Sequence, residues 1–189
     1  GDVNPSGKLS CTFPKRLEDS PAHAMGNYPG KDGVVRYEEG LLVGYRWFDT
    51  KNIEPLFPFG HGLSYTRFEY SNLRLKPGTD DKGVVTAEFE VKNVGSRDGA
   101  EVAQLYVQEV KPRLARPIKE LKGFSKVFLK AGEQQAVSIP LDARACAFYD
   151  PERKSFVAEA GDFKILVGGS SRNTSLQQDF KLAKTTLTN

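Results

Sequence analysis

The sequence predicts a mainly β protein, an antiparallel β-sandwich of immunoglobulin or fibronectin type III kind preceded by an extended segment. Three observations lead there. From about residue 84 onward apolar and polar residues alternate with period two, as half-buried strands require. Clusters of turn-forming residues separate these runs at short, regular intervals. No convincing amphipathic helix interrupts them.

Each element follows from its own residues. Phe68–Leu75 leads the series. In Val84–Val94, Val85, Ala87, Phe89 and Val91 share one face, while Thr86, Glu88, Glu90 and Lys92 share the other. Asn93 to Gly99 is a turn by composition. In Ala100–Val110, Val102, Gln104 and Tyr106 alternate with Ala103, Leu105 and Val107, so both faces carry bulk. Further strands are expected at Lys119–Leu129, Gln134–Leu141, Ala145–Tyr149 and Lys154–Glu159, then around Phe163, Ile165 and Val167, and at Leu176–Leu182. Turns are expected at Lys130–Glu133, Asp150–Arg153, Ala160–Asp162 and Gly168–Ser171. The Cys–Trp–Cys framework of immunoglobulin domains is missing, because the single tryptophan, Trp47, precedes the sandwich.

Residues 1–64 are different, rich in Pro, Gly and charge with short apolar pieces such as Leu9–Phe13 and Leu41–Phe48. A short helix is expected at Glu38–Val43. Alone the segment lacks the apolar surface to stabilise a fold, so it should dock on something outside this chain. The opening Gly1-Asp2-Val3-Asn4-Pro5 reads as a turn in the middle of a longer protein.

Composition narrows the function classes. Hydrophobic residues make up 39% of the 189, enough for a packed core. The formal net charge of +3 does not argue for nucleic acid or a membrane surface as partner, and no apolar run reaches the ~18–20 residues of a membrane helix. Lys111, Arg113, Arg116, Lys119, Lys122, Lys126 and Lys130 face a single acid, Glu120, within 111–130, and a solvated face is expected there. Cys11 and Cys146 lack disulfide-framework or zinc-site spacing and read as two buried free thiols; no metal or other cofactor is implied. Asn173-Thr174-Ser175 is a glycosylation sequon, useful only in a secreted protein.

Several residues suggest chemistry. Glu38 and Glu39 are adjacent acids, but chain neighbours point to different sides and seldom face one substrate. His61, between Gly60 and Gly62, suits packing at a tight junction, and His23 lies in a polar loop. Tyr45, Arg46, Trp47 and Phe48 form an aromatic and cationic cluster; Arg46 and Trp47 are its candidate sugar-binding residues, set against a role in gluing segments together.

Four stretches carry a resemblance. Gly1–Leu9 with Thr12-Phe13-Pro14, Tyr37–Asp49, Pro58-Phe59-Gly60-His61-Gly62-Leu63-Ser64-Tyr65-Thr66, and Glu120-Leu121-Lys122-Gly123-Phe124 resemble, in order, the family 3 glycoside hydrolases. The resemblance implies the end of that family's α/β sandwich domain at 1–36, a linker at 37–64 and a fibronectin type III-like domain at 65–189. It implies a retaining enzyme that removes terminal β-D-glucosyl residues, whose partners are its barrel and α/β domains and, through them, a β-glucoside or oligosaccharide. Retaining enzymes hold a nucleophile and an acid/base ~5–5.5 Å apart. In the family both lie upstream of the part matched here, so no catalytic residue is carried over. The alternative is a stand-alone carbohydrate-binding or adhesion sandwich, which has no use for an extension like 1–64. Localisation stays open, with a secreted or periplasmic setting favoured over a cytoplasmic one.

Overall fold

The computed structural model describes residues 1–78 and 83–188. Ten strands run in order: β1 (Phe68–Pro77), β2 (Gly83–Asn93), β3 (Gly99–Glu109), β4 (Glu120–Leu129), β5 (Gln134–Asp142), β6 (Phe148–Asp150), β7 (Ser155–Ala158), β8 (Gly161–Gly168), β9 (Leu176–Leu182) and β10 (Thr186–Thr188). Two short helices, α1 (Pro21–Ala24) and α2 (Tyr45–Thr50), precede the strands, and a third, α3 (Ala143–Cys146), lies between β5 and β6. All strand pairs are antiparallel. One sheet has the order β1-β2-β5 and a second β4-β3-β8-β9; a small third sheet, β10-β7-β6, closes one side. The expected domain 65–189 crosses Thr79–Lys82 and ends at Asn189, which lie outside the described residues.

The larger sheets face each other because both alternate. Phe89 of β2 lies opposite Val137 of β5, with Ala87 opposite Ile139 and Val85 opposite Leu141. In the other sheet Leu105 faces Val167 and Val107 faces Ile165. All ten of these side chains belong to one buried cluster between the layers. Asn93, fully buried at the end of β2, ties off that edge. Its Oδ1 accepts from the Thr66 hydroxyl at 2.6 Å, and its Nδ2 donates to Leu129 O at 3.1 Å and Arg97 O at 2.7 Å. A buried amide is tolerated because its donors and acceptor are used.

Several local expectations are corrected. The strand expected at Ala145–Tyr149 is half helix. Asp142 accepts the Ala145 N–H at 3.0 Å as an N-cap, so α3 forms before the chain extends again at Phe148. The helix expected at Glu38–Val43 is a series of turns, because Gly40 takes a positive φ of 58° that a helix cannot continue through. The helix starts instead after Gly44, at Tyr45. Strand β10 carries no periodic signal in three residues and escapes the sequence reading.

The segment 1–64, expected to dock outside this chain, also folds back on this chain's own sandwich. Its two arms pair with each other: Phe13 N–H donates to Phe57 O at 2.9 Å, Leu9 N–H to His61 O at 2.8 Å, and Gly60 N–H to Leu9 O at 2.8 Å. The paired arms then cover the outer face of the four-stranded sheet.

Candidate functional site

The seam between this segment and the sheet is where buried polar and charged side chains gather. β3 has no solvent face, since Gln104 and Tyr106, on the side away from the core, are 3% and 0% exposed. The Tyr106 hydroxyl donates to Gln104 Oε1 at 2.6 Å, and Gln104 Nε2 donates to Gly169 O at 2.8 Å and Gly60 O at 3.3 Å. Gly60 has φ +80°, and a Cβ there would overlap the Gln104 amide, so both conformation and space demand glycine. Tyr45 in α2 packs edge-on against Tyr106 and accepts the Leu121 N–H at 2.8 Å. Burial pushes both phenols above their ordinary range, Tyr106 well above it.

Two ionic clusters flank this hydrogen-bonded centre. Asp49, at the end of α2, is buried between Arg172, whose Nε lies 2.6 Å from Oδ1, and Lys119, whose Nζ lies 3.3 Å from Oδ2. The Arg172 guanidinium also donates to Phe48 O and Ile53 O at 2.9 and 2.8 Å. Beside it Glu120 meets Arg116, Arg46 and Lys122 at 2.9, 3.2 and 3.5 Å. Arg116 turns its other side to Glu109 at 2.8 Å. Burial opposes ionisation of Glu120, but Lys122, Arg116 and Arg46 outweigh it and hold its pKa below the ordinary carboxylate range. For Asp49 the balance is opposite: burial exceeds the pull of Lys119 and Arg172, and its pKa is raised.

The expectation of a solvated face at 111–130 is therefore corrected for Arg113, Arg116, Lys119 and Lys122, while Lys111 and Lys130 are exposed as expected. The Arg116, Lys119 and Lys122 side chains are only 9%, 13% and 19% exposed, and Arg113 holds both Asp150 and Glu159. The sequence showed the excess of cations and hid their acids, which come from other elements.

The residues singled out in the sequence take these places. Trp47 is buried, and its indole N–H donates to Asp19 O at 3.0 Å, fixing α2 to the start of the segment. Arg46 leaves about a third of its side chain exposed while pairing with Glu120. Glu38 is exposed and Glu39 half-buried. His61 stacks on Phe57 at 5.1 Å, and His23 contacts Tyr28 and the Ser20 hydroxyl. Asn173 is exposed in the tight turn after β8, bridged to Ser170. Cys146 is buried as expected, but Cys11 is exposed, because the paired arm that carries it lies on the surface. Among the described residues no group of three or more His, Cys, Asp or Glu is placed to hold a metal ion.

Chemically, the seam is a clamp. Its buried carboxylates Asp49, Glu109 and Glu120 are held by cations, an arrangement that fixes geometry. Sequence reading missed Gln104, Asp49 and Arg172 because each finds its partner tens of residues away or more.

Residues 101–171 match the model of the fibronectin type III-like domain. Over 186 residues, 98% of this chain, the sequence is 51% identical to thermostable β-glucosidase B of Acetivibrio thermocellus, of which it covers 24%. It is 44% identical over 174 residues to β-glucosidase BoGH3A of Bacteroides ovatus, covering 23% of that protein. The GH3 β-glucosidase of Bifidobacterium adolescentis superposes with a TM-score of 0.89 at 41% identity, over 96% of this chain and 26% of that one. The chain belongs to the family 3 glycoside hydrolases. It corresponds to a carboxy-terminal part of them and spans about a quarter of the length of the relatives it matches. β-Glucosidase 3B of Thermotoga neapolitana, solved with α-D-glucose, agrees equally well, with a TM-score of 0.89 at 37% identity over all of this chain. In family 3 terms the sandwich is the fibronectin type III-like domain, and the seam is where the preceding segment packs upon it.

Proposed function

We propose that this chain is the non-catalytic carboxy-terminal portion of a retaining β-glucosidase-like hydrolase that removes terminal β-D-glucosyl residues, and that it braces the catalytic domains. In this reading residues 1–36 complete the α/β sandwich domain, 37–64 link it onward, and 65–189 form the brace. Arg46 and Trp47 fasten the seam rather than touch sugar.

The distribution of exposed apolar side chains carries the proposal. Among the described residues, thirteen of the twenty large exposed apolar side chains fall within 1–64, including Val3, Leu17, Tyr28, Tyr37 and Leu41. The segment thus holds most of the large apolar side chains left in water. An exposed apolar surface of this kind marks an interaction site. A stand-alone binding module gains nothing from it, whereas a hydrolase domain packed there removes it from water.

The experiment mixes this chain with a second chain carrying the barrel and the rest of the α/β domain, using an aryl β-glucoside as substrate. The expected result is no turnover by this chain alone and recovery of turnover in the mixture. Turnover by this chain alone, lost in Glu38→Gln or Glu39→Gln, overturns the proposal.

A further inference from the structure

A cavity of about 290 Å³ opens at one end of the sandwich, between the start of β1, the turn after β8 and the amino-terminal segment. Its polar lining includes Lys8, Ser64, Tyr70, Glu101 and Asn173, and Phe68 adds an aromatic wall. Glu101 is 6% exposed, and its Oε1 accepts from Lys8 Nζ at 2.9 Å and from the Tyr70 hydroxyl at 2.8 Å. Among the described residues no donor reaches its Oε2. The ammonium of Lys8 has three N–H groups, of which this pair uses one.

Gly169 lies directly against these groups. A Cβ at Gly169 would lie 3.1 Å from Glu101 Oε1 and 3.7 Å from both Lys8 Nζ and the Tyr70 hydroxyl. The backbone does not ask for glycine there, since Gly169 is not among the residues with positive φ. Its main chain is held by Asn173 O, which accepts its N–H at 2.9 Å, and by Gln104, which donates to its carbonyl at 2.8 Å. The missing side chain keeps Gly169 clear of the Glu101 carboxylate at the cavity wall.

We propose that this cavity binds a neutral polyhydroxylated molecule, a pyranose or a small polyol. The Lys8–Glu101 pair balances its own charge, so the site offers an ion little net attraction. A hydroxyl that donates to Glu101 Oε2 while accepting from Lys8 uses the free carboxylate oxygen and one of the two remaining N–H groups, and Phe68 in the lining supplies apolar contact for a sugar ring. The volume lies at the small end of ligand sites, suited to one ring.

The test is titration of the ¹⁵N-labelled chain with D-glucose, glycerol and sodium sulfate in separate NMR series. Saturable shifts of the Ser64, Gly169 and Asn173 amides with glucose or glycerol, and none with sulfate, are expected. Gly169→Ala crowds the Glu101 carboxylate at the cavity wall and should weaken binding at least about tenfold, roughly 1.4 kcal/mol. Asn173→Ala removes a lining side chain whose main chain alone makes the turn, and should weaken binding severalfold with an unchanged melting temperature. If Gly169→Ala unfolds the chain, Asn173→Ala decides. No saturable shift with either neutral probe, tighter binding of sulfate, or unchanged affinity in the deciding variant overturns the proposal.

Discussion

Arg172 lies in the turn after β8, and its Nε sits 2.6 Å from Oδ1 of Asp49 at the end of α2, 123 residues earlier in the chain. That contact, with the two carbonyl bonds of the same guanidinium, closes the amino-terminal segment onto the sandwich. Removing Arg172 leaves the buried Asp49 carboxylate with Lys119 as its remaining cation and strips the carbonyls of Phe48 and Ile53 of a donor. Arg172→Met should therefore destabilise by about 2–4 kcal/mol, somewhat below the range for fully buried pairs because Arg172 is a quarter exposed. Urea melts read this directly, and a change under about 0.5 kcal/mol would mean the seam holds without it.

The opposite pKa shifts of Glu120 and Asp49 give opposite pH dependence. Folding lowers the pKa of Glu120, so its contribution is present above the unfolded value and lost as pH falls through the folded one. Folding raises that of Asp49, so its contribution is present in acid and lost as pH climbs from the ordinary carboxylate range to the folded value. In urea midpoints between about pH 3 and pH 7, Glu120→Gln should shallow the acid-side loss and Asp49→Asn should steepen it. Equal slopes in the two variants would contradict the assigned directions.

The core facing of β2 is testable by a pair of truncations. Phe89, 2% exposed, should cost about 3–5 kcal/mol as Phe89→Ala. Glu88 on the other face holds only a half-exposed pair with Lys76, and Glu88→Ala should cost less than about 1 kcal/mol. Equal losses would place the wrong face inward.

Gly60 tests the seam without touching a charge. Gly60→Ala must hold φ near +80° and displace the Gln104 side chain that joins Gly60 to Gly169. A loss of about 1–3 kcal/mol is expected, with Gly26→Ala as the control for positive φ alone, since a Cβ at Gly26 meets open space.

The two thiols should differ in reactivity. Cys146 is 1% exposed and burial pushes its pKa to about 11, so it should resist an aromatic disulfide reagent in the native state. Cys11 is exposed and should react at once. One thiol titrating fast and the second only in denaturant is the expected count, and two fast thiols would place Cys146 at the surface.

How much the sequence determined by itself follows from the range of the forces involved. The alternation of Val85, Ala87, Phe89 and Val91 fixes a strand and its inward face, because successive side chains on any extended strand point to opposite sides. The same reasoning reads β5 and β8, and the turns at Lys130–Glu133 and Asp150–Arg153 follow from residues within four of each other. Tertiary structure alone decided the rest. Whether Gln104 and Tyr106 face water or a neighbour depends on where residues 45–60 fold, and nothing in β3 records it. Arg113, Arg116 and Lys119 read as part of a solvated face until Asp49, Glu109, Asp150 and Glu159 arrive from other elements to neutralise them. Local pattern specifies elements because the chain's own geometry enforces it; burial of a polar group belongs to two distant segments at once, and only the folded chain brings them together.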